Sequence, residues 1–225
     1  MTAASYLKAR GVTRLCHFTK IKDLTHIISF NLGIQPTKNI VADIVDKKDP
    51  MRLDGQTDHV CCSIEYPNCW YLRQVQRRDT DRIFRDWVVI FLDLSVLDSH
   101  ASKSSPRNSA TGNGAFISSN IDDLPKLFSQ TIAGRPRPRQ MLSCCPTDDQ
   151  AEILIEGAIP LSYISGFAVY DEETAGTVSS ILRTFEYPEL PIYVAPDLLS
   201  TQWSSLVRCG IRPQETKFTI EGGSN

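Results

Sequence analysis

The chain has 225 residues, with 24 Lys and Arg against 26 Asp and Glu, and a formal net charge of −2. A hydrophobic fraction of 41% with 22% charged residues excludes a disordered, collagen-like or mucin-like chain, and the length suits a single domain over residues 1–225. No run of 18 apolar residues occurs, so no membrane-spanning helix is expected.

Residues 1–10 hold no apolar core followed by a small-residue cleavage site, and a cytoplasmic protein is the expectation. Residues 12–19 alternate like a strand, and 20–30 carry Ile21, Leu24, Ile27 and Ile28 at helical spacing, with Gly33 at the expected helix stop. Residues 40–48 are ambiguous. Residues 59–64 are β-prone and closed by Pro67-Asn68; 70–85 have helical spacing; 87–94 are apolar almost throughout, which predicts a central strand. Residues 99–114, rich in Ser, Asn and Gly, read as a long surface loop that carries Lys103 and Arg107 and closes over a substrate.

Farther on, 122–130 read as a short helix and 134–139 as an extended Pro-rich connection. Residues 150–155, 166–170 and 191–195 read as strands, 172–185 and 200–209 as helices, and 221–225 as a polar tail. Short strands with irregularly placed helices predict the α+β class with a mixed or antiparallel sheet. The absence of G-x-G-x-x-G and G-x-x-x-x-G-K-[ST] leaves Rossmann and P-loop nucleotide binding unsupported.

Seven cysteines, with Cys61-Cys62 and Cys144-Cys145 adjacent and no C-x-x-C, argue for reduced, mostly buried thiols and against a zinc site; no metal is expected. The small net charge hides an asymmetry, +6 over residues 1–140 and −8 over 141–225. Arg73, Arg77, Arg78, Arg82 and Arg85 fall within 13 residues, and Arg135, Arg137 and Arg139 alternate with Pro136 and Pro138. Such clusters attract a phosphate backbone, while a solvated helix face and a rigid polar loop are the plainer readings.

Three islands carry candidate chemistry. Leu15-Cys16-His17-Phe18-Thr19 places a histidine where it either hydrogen-bonds a ribose hydroxyl or is satisfied by backbone. Residues 52–71 pack Arg52, His59, Ser63, Asn68 and the aromatics Tyr66, Trp70 and Tyr71 into a short span. Arginine suits a pyrophosphate and aromatics a flat ring, but a strand, turn and helix start would look the same. In Gln150-Ala151-Glu152-Ile153-Leu154-Ile155 alternation puts Gln150 and Glu152 on one face, and a carboxylate opening an apolar strand is a catalytic candidate.

In order and spacing the islands resemble the DarT family of toxin enzymes, which transfer ADP-ribose from NAD+ onto bases of single-stranded DNA. The resemblance runs from about Val12 to about Tyr163 and rests on L-x-H-F-T, the turn Asn31-Leu32-Gly33-Ile34, the isolated Arg52, and Gln150-Ala151-Glu152. It implies an ADP-ribosyltransferase fold, a split mixed sheet with NAD+ in the cleft between its halves. It further implies Glu152 as catalytic acid, Arg52 near the pyrophosphate and acceptor base, and His17 and Thr19 on the nicotinamide-side ribose. Tyr71, with Tyr66, would stack near the nicotinamide, and Ser63, Asn68 and Gln150 would share the cradle. Single-stranded DNA would track Arg73, Arg77, Arg78, Arg135 and Arg137. The stretch from His59 to Asn68 departs from the aromatic Y-V-P-F-Y-F-S-P of the thymine-modifying branch, so guanine is expected slightly ahead of thymine. An antitoxin of macrodomain or NADAR type that removes the modification is the implied partner.

Overall fold

The computed structural model describes residues 1–29, 31–40, 52–78 and 86–219. Its strands are β1 (Leu15–Lys20), β2 (His59–Ile64), β3 (Trp87–Leu92), β4 (Ser102–Ser105), β5 (Thr131–Ile132), β6 (Arg135–Pro136), β7 (Glu152–Glu156), β8 (Ile164–Val169), β9 (Ile192–Val194) and β10 (Thr216–Lys217). Among the described residues eight of them form one sheet in the order β10-β9-β8-β3-β1-β2-β7-β4. Every neighbour pair is antiparallel except β8 with β9, so the sheet is mixed. β3 is buried at all six positions, as an interior strand with both faces covered must be.

The sheet splits between β1 and β2. β1 pairs with β3 along its whole length, from Leu15↔Leu92 to Lys20↔Trp87, but with β2 only at Leu15↔Ile64 and Cys16↔Ser63. β2 instead pairs with β7 from Ser63↔Glu152 to His59↔Glu156. From residue 17 onward the two halves have no register in common, and the opening faces the side chains of His17 and Thr19.

The helices are α1 (Ala3–Ala9), α2 (Ile21–Ser29), α3 (Cys69–Arg78), α4 (Val96–Ser99), α5 (Glu172–Thr184) and α6 (Gln202–Arg208). Local chemistry sets their starts. Thr2 and Asp171 accept hydrogen bonds from the Ser5 and Thr174 amides, and Asn68 Oδ1 accepts from the Tyr71 amide at 3.0 Å, which caps α1, α5 and α3. α2 buries Ile21, Leu24 and Ile28, the stripe expected of it.

Several expectations change. The span 99–114 is no plain loop: it takes in the end of α4 and all of β4, which pairs with β7 as an edge strand from Ser102↔Ile155 to Ser105↔Glu152. Its small hydroxyl side chains gave no apolar alternation to read, yet an edge strand needs little beyond backbone pairing. The span 122–130 forms a 3-10 helix at Ile121–Phe128 with Pro125 inside it. The Pro-rich connection forms the small β5–β6 hairpin, turned by Ala133 and Gly134 at φ 51° and 77°. The acidic final third completes the sheet with β8, β9 and β10. Phe30, residues 41–48 of the ambiguous span, Arg82 and Arg85 of the basic helix, and the tail 221–225 lie outside the described residues.

Candidate active site

A cavity of about 670 Å³ opens where β1 and β2 part, within the size range of small-molecule and cofactor pockets. β1 contributes Cys16, His17, Phe18 and Thr19, and β2 contributes His59, Val60, Cys61 and Ser63. One face of α3, with Tyr71, Gln74 and Arg78 at helical spacing below the cap Asn68, forms a wall. Leu32-Gly33-Ile34 and residues 108–111 form two more. Gln150 and Glu152 both line the cavity, as their shared face required.

Glu152 is 7% exposed. Its Oε2 accepts a hydrogen bond from the backbone N–H of Ser109 at 2.9 Å. Burial pushes its carboxyl above the usual glutamate range; the Ser109 hydrogen bonds oppose that shift, and the nearby Asp54 charge adds to it. This is the setting of a carboxylate kept out of water until a substrate hydroxyl or nitrogen reaches it.

Arg52 is 6% exposed and sits at φ 37°. Its Nε and Nη2 donate to Asp54 at 3.0 and 3.1 Å, a two-point pairing of guanidinium and carboxylate. Nη1 donates to the His59 carbonyl at 2.9 Å and to Thr37 Oγ1 at 3.3 Å, and Nη2 also donates to the Gln56 carbonyl. The guanidinium therefore locks the start of β2 as well as lining the cavity. Burial alone would raise Asp54, but hydrogen bonds from Arg52, Gln56 and Ser109 hold it below the usual aspartate range.

His17 Nδ1 lies 3.0 Å from the Cys61 carbonyl. A carbonyl only accepts, so Nδ1 carries the proton of this bond. This cross-cleft hydrogen bond bridges the two halves of the split sheet. Thr19 Oγ1 donates to Asp23 Oδ2 at 3.1 Å, which orients the hydroxyl at the cavity wall. The Tyr71 ring tilts on Phe18 at a centroid distance of 6.1 Å.

The structure gathers His17, Thr19, Arg52, Ser63, Asn68, Tyr71, Gln150 and Glu152 around one cavity. Two residues named from the sequence stand apart from this group. Tyr66 is 2% exposed, packs on Trp203 at 5.3 Å and does not line the cavity; its neighbour Glu65 takes φ 63°. Arg137 is spent on its own fold: its guanidinium donates to the carbonyls of Cys145 and Leu142 at 2.7 Å each and to Thr147. Arg73, Arg77 and Arg135 are exposed, and Arg78 reaches the cavity rim. The sequence reading missed Asp54 and Ser109. Asp54 had a signal, two residues after Arg52 in a turn closed by Gly55. Ser109 had none, since a backbone N–H has no sequence signature.

A family model described as "ssDNA thymidine ADP-ribosyltransferase, DarT" matches residues 16–200. The chain belongs to the DarT family. Thermus sp. 2.9 DarT in complex with ADP-ribosylated single-stranded DNA has a TM-score of 0.61 at 14% identity, over 84% of this chain and 96% of that one. The same protein in complex with NAD+ gives 0.56 at 16%, over 80% and 93%. Thermosipho africanus DarTG in complex with ADP-ribose gives 0.56 at 12%, over 83% and 51%. At these identities the likeness is one of fold, and it places the split mixed sheet in the DarT architecture. No curated protein is similar enough in sequence to match. Among the described residues no group of three His, Cys, Asp or Glu is placed to hold a metal ion, and no helix is long and apolar enough to cross a membrane.

Proposed function

We propose that this DarT-family enzyme moves ADP-ribose from NAD+ onto a base of single-stranded DNA, releases nicotinamide, and takes guanine ahead of thymine. The observation that carries the reading is Glu152, a buried carboxylate at the floor of a cavity formed where a mixed sheet splits. Breaking the nicotinamide–ribose bond develops positive charge on the sugar, as in glycoside hydrolysis. A carboxylate bonded to the ribose 2′-hydroxyl stabilises that charge in a dry site, then takes the proton from the attacking nitrogen. Glu152 does both in its ionised form. The imidazole of His17 and the hydroxyl of Thr19 hold the same ribose, and Tyr71 stacks on the nicotinamide ring.

Arg52 supplies fixed positive potential near the pyrophosphate, although much of its hydrogen bonding stays with Asp54 and the start of β2. An unpaired strand spares the enzyme the few kcal/mol of extracting a base from a duplex. The preference for guanine rests on β2, where His59-Val60-Cys61-Cys62-Ser63 replaces the aromatic stretch of the thymine-modifying branch. An enzyme that marks DNA needs a counterpart, and a partner that hydrolyses the modification, of macrodomain or NADAR type, completes the reading.

The test incubates the protein with NAD+ and four short single-stranded DNAs that differ in one central base, with mass spectrometry of each oligonucleotide. An ADP-ribose adduct on the guanine strand is expected first. An adduct on thymine alone overturns the base preference. Free nicotinamide with no DNA adduct moves the acceptor to RNA or protein, and neither product overturns the transferase reading.

A further inference from the structure

We infer that the exposed indole of Trp70 is a base-stacking platform outside the cavity, on which a single-stranded DNA substrate lays a nucleotide near the one that enters. The inference rests on the reading of the enzyme as one that acts on single-stranded DNA.

Trp70 lies in the first turn of α3, is 37% exposed and does not line the cavity. The other two tryptophans, Trp87 and Trp203, are 5% and 2% exposed, as large apolar rings of a folded core should be. Trp70 Nε1 donates to Asp149 Oδ2 at 3.4 Å, and the same oxygen accepts from Ser204 Oγ. The indole is thus tied by its edge to a buried carboxylate. Among the described residues no aromatic ring packs on it and no guanidinium lies over it. A ring held in place with part of its surface open is pre-organised for stacking.

Helical spacing sets what surrounds the ring. Arg73 and Arg77 stand three and seven residues on, which puts them on the same face of α3. Both are exposed, and neither makes a hydrogen bond or ion pair among the described residues. Tyr71, Gln74 and Arg78, on the adjoining stripe of the helix, line the cavity. The helix therefore gives one stripe to the cavity and the next, an aromatic ring followed by two arginines, to solvent.

That combination suits one class of ligand. A lone exposed ring needs no explanation, and arginines by themselves attract any phosphate. Ring and arginines along one face match a chain in which flat bases and phosphates alternate. A duplex offers the phosphates but keeps its bases stacked and paired, so an unpaired strand alone engages both. A strand that sends one base into the cavity must cross its rim, and α3 is the wall where the ring and the arginines adjoin it. Stacking tolerates any base, so the platform holds the strand and leaves the choice of acceptor to the cavity.

The experiment titrates single-stranded DNA into the protein without NAD+, followed by tryptophan fluorescence and, with a labelled strand, by anisotropy. Because Trp87 and Trp203 are buried, quenching by a stacked base reports on Trp70. Strands carrying one abasic position, moved stepwise away from the central base, locate the stacked nucleotide; a duplex of the same sequence is the control. The single strand should quench the wild type and the duplex far less. One abasic position outside the central base should weaken binding at least about fivefold, the lower end for a stacked base. Trp70→Ala should bind the intact strand and that abasic strand alike, and Trp70→Phe, which keeps a ring, should retain part of the difference. Strand binding without a quench, an equal quench by the duplex, or an abasic penalty that folded Trp70→Ala keeps in full overturns the inference. If Trp70→Ala does not fold, the wild-type quench and the abasic series decide it. Failure of the wild type to bind any single strand removes the DNA reading itself, a result distinct from strand binding without stacking.

Discussion

Ser109 and Glu152, 43 residues apart, are joined by a hydrogen bond from the serine backbone N–H to the glutamate Oε2 at 2.9 Å. The Ser109 hydroxyl donates in turn to Asp54 Oδ2 at 3.0 Å, and Asp54 pairs with Arg52. One residue of the segment after β4 thus links the buried carboxylates of Glu152 and Asp54. The segment is pinned again at Gly114, where φ is 86° and a Cβ would come within 2.9 Å of the Asp54 carbonyl. Replacing Ser109 with Ala keeps the backbone bond to Glu152 and deletes the hydroxyl, which bonds Asp54 and also acts on Glu152. The expected result is a stability loss of about 1.5–3 kcal/mol, the range for a hydrogen bond to a charged group, with a several-fold rise in KM for NAD+ as the segment loosens. Denaturant unfolding and initial rates check both.

Glu152 gives opposite outcomes for activity and stability. The transferase reading needs its ionised form, so Glu152→Gln is expected to lower the rate by about 10²–10⁴. Burial holds its folded pKa above the unfolded value, so the folded state binds the proton more tightly and stability falls as pH rises between the two values. The Gln variant, uncharged throughout, should therefore melt higher than wild type at neutral pH. The difference should vanish below the ordinary glutamate range, where both side chains are neutral. Full activity in a folded variant removes the catalytic assignment. In the wild type the rate should fall on the acid side at a pH above that of an exposed glutamate.

The Arg52–Asp54 pair predicts a different pattern. Both side chains are under 5% exposed, and the pairing is two-pronged. Asp54→Asn removes the carboxylate that pairs in two prongs with the buried guanidinium, and a loss of about 3–5 kcal/mol is expected. The folded pKa of Asp54 lies below the unfolded one, so its contribution is present above the ordinary aspartate range and is lost as pH falls. Replacing both residues by apolar ones of similar size should cost less than Asp54→Asn alone. Chemical denaturation of the single and double variants gives the comparison.

Gly33 is fixed by backbone geometry. It sits at φ 68°, and a Cβ there would lie 2.1 Å from the Ile159 carbonyl oxygen. The adjacent Ile34 exchanges backbone hydrogen bonds with Ile159 at 2.9 Å in both directions, which docks this cavity wall on the end of β7. Gly33→Ala must break that bridge or strain the turn. A loss of at least about 2 kcal/mol and weaker NAD+ binding are expected, read by thermal unfolding and calorimetry.

How far the sequence led depends on the kind of signal. β2 and β3 were legible because apolar and β-branched residues cluster there, and α5 because a strand-like span on either side frames it. Glu152 was legible because a charge on an otherwise apolar strand has few structural explanations. β4 was not, since Ser-Lys-Ser-Ser carries no periodicity and pairs through its backbone. The place of Tyr66 was not legible, and its neighbour Glu65 takes a left-handed turn that sequence does not announce in a non-glycine residue. The hydrogen bonding of Arg137 was not legible, because charge clustering shows where positive groups lie along the chain, whereas its partners are two backbone carbonyls and Thr147.

The same distinction among arginines yields the last prediction. Arg73 and Arg77 are exposed on α3, Arg78 reaches the cavity, and Arg137 is bonded to three groups of its own fold. If α3 tracks a phosphate backbone, charge reversal at Arg73 and Arg77 should weaken oligonucleotide binding and leave NAD+ affinity near wild type. The salt dependence should flatten with it, by about 0.7 in the log–log slope for each single-strand phosphate that is no longer neutralised. Arg78→Glu should disturb both ligands, because its side chain lies at the rim they share. Arg137→Ala should act through stability instead, since the carbonyls of Leu142 and Cys145 lose their donor, and its salt slope should match wild type. Fluorescence anisotropy over a series of salt concentrations, with a melting curve for each variant, separates the three behaviours. An unchanged slope in the Arg73 and Arg77 variants would move the DNA track off α3 and toward Arg135, the exposed arginine of β6.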